Sequence, residues 1–446
     1  MTVNSFLRNR TYLSLATCVI AALGLASCND PGGDPKEQLG AKYKLPELQQ
    51  FLIPPMHVAS VVGWKDGETP TVADGLQIKA VASGLQHPRS LYVLPNGDIL
   101  VAESKAPGTE PIKRPKDFIM NWVESWATSG GDTGKSNRIT LLRDADGDGK
   151  AEVQTTFLDN LHSPFGMVLV GNDLYVANTD AIVRYEYHTG DTQITKPGTT
   201  LTELPGGPID HHWTKSLTAS PDGSLLYVGV GSNSNITENG MEAEKNRAAI
   251  WEVDRATGRS RIFASGLRNP NGLTFEPNNH TLWAVINERD EIGPDLVPDY
   301  LTSVKDGAFY GWPYSYYGQH VDPRVQPQRP DLVAKAIPPD YALSSHVAPL
   351  GLTFYTGDNL PASYKGGAFV GEHGSWNRPN LNGYKVVFVP FADGRPSGPA
   401  RDVVTGFLNS DQKSRGRPVG LAVSKSGDLL IADDVGNKVW AVSSKK

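Results

Sequence analysis

The stretch GGPIDHHWTKSL, Gly206 to Leu217, places two of the chain's ten histidines side by side, followed by an aromatic, a hydroxyl residue and a lysine. Three chemistries suit such a pair: a metal site, a general base, or a structural contact. Imidazole ionises near neutral pH, so either ring could take a proton from a hydroxyl group. Zinc is disfavoured, because adjacent residues of an extended segment point to opposite faces and no His-x-His or His-x-x-x-His spacing offers a third ligand. Loops of similar make-up, GLQHPRS, NLHSPFG, GLRNPNG, SSHVAPLG and SRGRPVG, carry His87, His162, Arg268, Asn269, His346, Arg415 and Arg417.

The elements that must position these residues follow directly after each loop. PRSLYVLPNGDILVAES, PFGMVLVGNDLYVANT, TKSLTASPDGSLLYVGVGS, NGLTFEPNNHTLWAVINE, LGLTFYTGDNLPASYKGGAFVGEHGS and PVGLAVSKSGDLLIADD each read as an apolar run, a turn and a second apolar run. Asn-Gly, Asn-Asp, Asp-Gly and Ser-Gly supply the turn conformations that tight hairpins need. A second strand pair follows most of them, as in AAIWEVDRATGRSRIFASGL. Four antiparallel strands repeated six times predict an all-β, six-bladed β-propeller forming one domain over residues 51–446. The last unit stops after a third strand, and Leu76 to Ala82 near the start matches the missing fourth, which would close the ring and leave no unpaired edge. Function in such a ring sits on the loops at one end of the axis. Three arginines converging there repel one another unless an anion offsets them.

The first residues bear on compartment. Arg8 and Arg10 precede an apolar run from Tyr12 to Ala26 that is too short to span a bilayer and reads as a secretory signal over residues 1–27. Leu25-Ala26-Ser27-Cys28 resembles a bacterial lipobox, which implies a lipid on Cys28 and a cell-envelope location, with the propeller in the periplasm. The other cysteine, Cys18, lies within the segment to be removed, so no disulfide, Cys-based metal site or Cys-x-x-Cys-His haem attachment is expected in the remainder. Loss of two positive and no negative residues takes the net charge from −6 to −8, which argues against a nucleic-acid partner. Residues 28–50, rich in Pro, Gly and charge, are expected to be a tether.

The motifs HHWTKSL, SGLRNPNGLTF, NERDEIGPD, YGWPY, EHGSWNR and RGRPVGLAVSKSGDLLIADD, in this order, resemble the soluble pyrroloquinoline-quinone-dependent sugar dehydrogenases, in particular the sorbosone and aldose dehydrogenase branch. The resemblance runs from about Gly75 to Ser444 and implies the six-bladed fold independently of the repeat count. It implies that His212 removes the proton from a sugar hydroxyl while hydride passes to the quinone, with His211 as a neighbour. It implies that Arg268 stabilises the charge developing on the quinone oxygen, that Asn269 and Trp312 contact the cofactor, and that Arg415 and Arg417, facing the same side, hold its carboxylates. Relatives carry a lysine on the blade with SWNRP; Asn377 or Arg378 stands there, Arg378 being the expected substitute. Calcium is the second cofactor implied, with Asp290, Glu291 and Glu288 as its candidate ligands and Asp299 as a further carboxylate on that loop.

A separate acidic run, DADGDGKAE, sets Asp144, Asp146, Asp148 and Gly149 at the spacing of a calcium loop, but Thr155 occupies the twelfth position and no helices flank it. An aspartate-rich turn and a peripheral structural ion both remain open. Gly108 to Gly131 reads as a helical insertion, and SGGDTGKS lacks the first glycine of a phosphate loop. Tyr310, Trp312, Tyr314, Tyr316 and Tyr317 are expected to offer aromatic faces to a sugar near the mouth. With no attached haem, electrons would pass to a separate acceptor, a cytochrome or a quinone pool. The alternatives from other classes are a lactonase-type hydrolase, which needs carboxylates and asparagines around an axial ion where these loops carry arginine and histidine, and a surface-anchored binding module.

Overall fold

The computed structural model describes residues 32–51, 54–107, 136–207, 209 and 211–445. Cys28 with the signal segment, the helical insertion and the phosphate-loop-like stretch lie outside the described residues. Six antiparallel sheets follow one another around an axis, each entered by its innermost strand; four have four strands, and two have a fifth, short strand added at the outer edge by the N-terminal segment. The innermost strands are Pro88–Val93, Gly166–Val170, Leu217–Ala219, Asn269–Phe275, Pro349–Phe354 and Pro418–Val423, and they open blades 1 to 6 in chain order. The apolar alternation read from the sequence is what each blade buries: clusters such as Leu100, Phe157, Val176 and Tyr185 fill the space between neighbouring sheets.

Closure occurs as the incomplete last unit requires. Leu76–Ser83 pairs antiparallel with Lys438–Ser444, with Leu76 opposite Ser444, and so provides the outer strand of blade 6. Near the axis the innermost strands crowd, and glycine is used where no side chain fits: a Cβ on Gly351 would stand 2.0 Å from the carbonyl oxygen of Val419. Phe165, Leu350 and Val419 pack together at the start of three innermost strands. Behind them runs an axial channel of about 310 Å³ lined by residues such as Tyr92, Thr218 and Thr274. The six loops that precede the innermost strands therefore form a mouth with an apolar floor.

The described part of the expected tether is docked rather than free. Gly33 N–H donates to Asp295 Oδ2 at 2.6 Å, Leu39–Gly40 pairs with Tyr341–Ser345 on blade 4, and Leu45 and Leu48 pack against Ile292 and Leu296. Further on, Ser414 N–H donates to the carbonyl of Ser60, and Trp64 Nε1 donates to Asp433 Oδ2 at 2.7 Å. This N-terminal strap ties together loops of blades 4, 5 and 6.

Candidate active site

His212 lies at the entrance to blade 3 and is 9% exposed. Its Nδ1 is 2.9 Å from Ser232 Oγ and 3.0 Å from the Ser232 carbonyl oxygen. That carbonyl only accepts, and the Ser232 hydroxyl spends its own proton on the carbonyl of Ser234 at 2.6 Å. Nδ1 therefore carries the hydrogen, and Nε2 presents a lone pair. Burial, then the positive charge of Arg268 and the neighbouring His211, push this imidazole well below its ordinary range, so it is neutral near pH 7. The His211 ring stands edge-on to it, with centroids 4.4 Å apart. Close approach is allowed by Gly231, where a Cβ would meet His212 Cβ at 2.4 Å and Asn269 Oδ1 at 2.6 Å. Asn269 Oδ1 is buried and has no hydrogen-bond partner.

Arg268 is almost fully buried and heavily committed. It donates to the carbonyls of Asn235, Asn287 and Glu288, to Asn235 Oδ1 at 2.9 Å and to Asp290 Oδ2 at 3.2 Å. Trp312 Nε1 donates to the same Asn235 carbonyl at 3.1 Å, so Trp312 braces the loop behind Arg268. On the other side of Asp290, Oδ1 is 3.2 Å from His346 Nδ1 and accepts from Asn377 Nδ2 at 3.3 Å. Burial alone would raise the Asp290 carboxyl, but His346 and Arg268 bring it down to about 2. His346 Nε2 also reaches the carbonyl of Gly293 at 3.2 Å. With an ionised carboxylate on one nitrogen and a carbonyl on the other, the ring donates from both, and Asp290 outweighs burial in raising its basicity.

This arrangement narrows the calcium assignment. The Asp290 carboxylate is held by Arg268, His346 and Asn377, and its carbonyl accepts from Arg324 at 3.0 Å. Glu288 pairs with buried Arg289 at 3.1 Å, and its carbonyl accepts from Arg268 at 2.7 Å. Glu291 has positive φ in the same turn, and Asp299 caps the amides of Glu288 and Ala348. Internal cations thus pair with the Asp290 carboxylate and with one carboxylate oxygen of Glu288, while Glu288 Oε1 is buried with no cation on it and is the oxygen of this turn that could still ligate calcium. The peripheral carboxylates Asp144, Asp146 and Asp148 do gather, with Glu152, within 4.8 Å of one another. All are exposed, and their oxygens cap the amides of their own turn, as Asp144 does for Gly147 and Gly149 at 2.7 Å.

The arginines divide. Arg417 is 9% exposed, stacks over Tyr384 at 5.1 Å, and has two buried nitrogens, Nε and an NH2, with no hydrogen-bond partner. Arg415 instead lies over Trp64 at 6.0 Å, with Glu68 at 3.6 Å. The alternation that would point both the same way fails because Ser414 to Gly416 is loop: Arg415 N–H bonds the carbonyl of Phe407, and Gly416 presses against the Asp433 carboxylate. Arg378 is also corrected. It is fully buried, donates to the Gly33 carbonyl at 3.0 Å and pairs with Asp295 at 3.3 Å, holding the strap. Asn377 takes the mouth position. The aromatic run is likewise internal: Tyr310 donates to the carbonyl of Ser303 in the core of blade 4, and Tyr314 packs on Val325 and Val333.

Two residues that sequence reasoning passed over complete the mouth. Arg89, at the start of the innermost strand of blade 1, stacks over Trp213 at 5.5 Å and pairs with Asp434, while its Nε is buried without a partner. His373 Nε2 lies 3.0 and 3.2 Å from the two Asp434 oxygens. The signal available was Arg89 in HPRS, at the start of an innermost strand, and His373 in EHGS, just after a second strand, but neither spacing marks a partner.

Comparison with known proteins adds the following. Residues 171–381 match the family described as Glucose / Sorbosone dehydrogenase, and residues 325–445 match one described as TrAA12-like. An uncharacterized protein of Borreliella burgdorferi is 29% identical over 303 residues, covering 65% of this chain and 78% of its own. A pyrroloquinoline quinone-dependent pyranose dehydrogenase of Coprinopsis cinerea is 25% identical over 292 residues, covering 52% of this chain and 39% of its own. The holo form of a Coprinopsis cinerea pyranose dehydrogenase quinone domain superposes with a TM-score of 0.68 at 21% identity, covering 87% of this chain and all of that one, which establishes the shared propeller fold.

Proposed function

We propose, from the match of residues 171–381 to the Glucose / Sorbosone dehydrogenase family, an enzyme that oxidises a sugar, or a sugar-derived aldehyde or hemiacetal of L-sorbosone or aldose type, with pyrroloquinoline quinone held in the mouth. The observation that carries this reading is Arg417, whose two buried, unpartnered guanidinium nitrogens call for an anion. Arg89 Nε and Asn269 Oδ1, also buried and unpartnered, supply a further donor and an acceptor to such a group. When bound, the quinone supplies an electrophilic carbonyl carbon that accepts hydride. His212 takes the hydroxyl proton at Nε2, since Nδ1–H is held by Ser232 and the ring is neutral at working pH. Arg268, fixed by five hydrogen bonds, is preorganised to meet charge that develops as the proton and hydride leave. The electrons go on to a separate acceptor, and a lipid on Cys28 would hold the protein at the periplasmic side of a bacterial membrane.

Reconstitution tests the reading. Calorimetric titration of the quinone into purified protein, with and without calcium, should show binding, and a dye-reduction screen over aldoses and sorbosone should then show turnover. No quinone binding under either condition would overturn the assignment.

A further inference from the structure

The mouth contains a further histidine that proton abstraction by His212 leaves unemployed. His373 follows Ala368–Glu372, the second strand of blade 5, and its Nε2 is within hydrogen-bond distance of both Asp434 oxygens, at 3.0 and 3.2 Å. Asp434 also receives Arg89, and its amide donates to the carbonyl of Arg417 at 3.3 Å, which places the pair beside the unpartnered arginine nitrogens. An ionised carboxylate only accepts, so Nε2 carries the hydrogen and Nδ1 is left with a lone pair. Nδ1 has no protein partner among the described residues and is open to solvent, the side chain being 17% exposed. This is the arrangement of a base and its orienting carboxylate. We propose that His373, oriented by Asp434, is a second proton acceptor of the mouth and takes up the proton left behind when electrons pass to one-electron carriers.

Resting on the proposed sugar oxidation, the balance is as follows. Conversion of one H–C–O–H group to a carbonyl releases two electrons and two protons. The hydroxyl proton goes to His212, and the other leaves as part of the hydride. Two one-electron carriers that accept no proton then remove the two electrons, and that second proton must pass to a base and on to solvent. His373 meets the need: burial, together with Arg417 and Arg89 which face it, outweighs the pull of Asp434 and holds the ring below its ordinary range, so it is unprotonated at neutral pH and returns its proton readily. The Asp434 carboxyl stays ionised beside His373, Arg89 and Arg417 despite its burial.

Imidazole ¹⁵N resonances of the full mature chain should show His373 as the Nε2–H tautomer, perturbed in Asp434→Asn. In rapid-mixing experiments on quinone-loaded protein, His373→Gln should slow reoxidation by a ferricenium-type one-electron acceptor at least tenfold, fall less heavily on reduction by sugar, and be partly rescued by added imidazole. Melting curves check that both variants fold. An Nδ1–H tautomer in the wild type, or a His373→Gln loss equal in both half-reactions, overturns the proposal. Should the chain bind no quinone, the sugar-oxidation reading falls while the tautomer still decides whether the histidine–aspartate pair exists.

Discussion

His212 and Arg417 illustrate how much a single side chain's chemistry depends on what its atoms have left to bond. The imidazole has one nitrogen occupied and one free, and burial keeps it neutral, so its basicity is directed at a single atom. His212→Gln should therefore leave quinone affinity nearly unchanged and lower kcat by roughly 10²-fold or more, measured by steady-state dye reduction, with His211→Gln as the control that retains turnover. Arg417 has the opposite condition, a surplus of donors without acceptors. Arg417→Ala should weaken quinone binding by roughly 1.5–3 kcal/mol, the scale of a charge-assisted hydrogen bond, with the melting temperature of the quinone-free protein held. An unchanged Kd in calorimetry would remove Arg417 from the anion site.

Among the elements, the N-terminal strap is the one whose role differs most from expectation. A segment composed like a linker is held by a buried arginine, a carboxylate and two short strand pairings, on loops that also carry Asn377 and Ser414. Arg378→Ala removes the cation that closes this contact and leaves Asp295 and the Gly33 carbonyl without it. Breaking such a buried pair costs about 3 kcal/mol, to be seen as a lower midpoint in urea denaturation. A wild-type midpoint would mean that the strap is held by its strand pairings alone.

For the molecule as a whole, three buried groups in and around blades 4 and 5 retain protons that the unfolded chain gives up. Burial raises Glu372 to about 8 and Asp299 to about 7, and His346 is raised by Asp290 in spite of its burial. Between pH 6.5 and 8 the native state thus binds more protons than the unfolded state, so stability falls as pH rises through this window. His212 and His373, both lowered, oppose the trend only in the lower part of this window, where the unfolded imidazole still binds protons, and the three raised groups outweigh them. Thermal melts should show a lower melting temperature at pH 8 than at pH 6.5, with a shallower slope in Glu372→Gln; a rise would contradict the assignment of these groups. At a hundredfold excess over Kd, quinone should add about 2.7 kcal/mol to apparent stability.

The repeat of hairpins, the ring of six and its closure by Leu76 to Ala82 were legible in the residues, because turn dipeptides and apolar alternation act within a few positions of where they stand. His212, Arg268 and Asn269 were legible as mouth residues for the same reason, since each lies in the short loop before an innermost strand or begins one. What only the tertiary structure decided is the direction of side chains in irregular loops. Whether Asn377 or Arg378 faces the mouth depends on Asp295 and Gly33, which are hydrogen-bonded across 262 positions of chain. Arg415 is drawn from Arg417 by Trp64 and Glu68 of the strap, and the acidic turn after Asn287 is met by its own Arg289 and by Arg268, Arg324 and His346 from three other stretches. The His373–Asp434 pair joins blades 5 and 6. A loop has no periodicity from which facing can be read, so the charge it meets on folding sets where each group points.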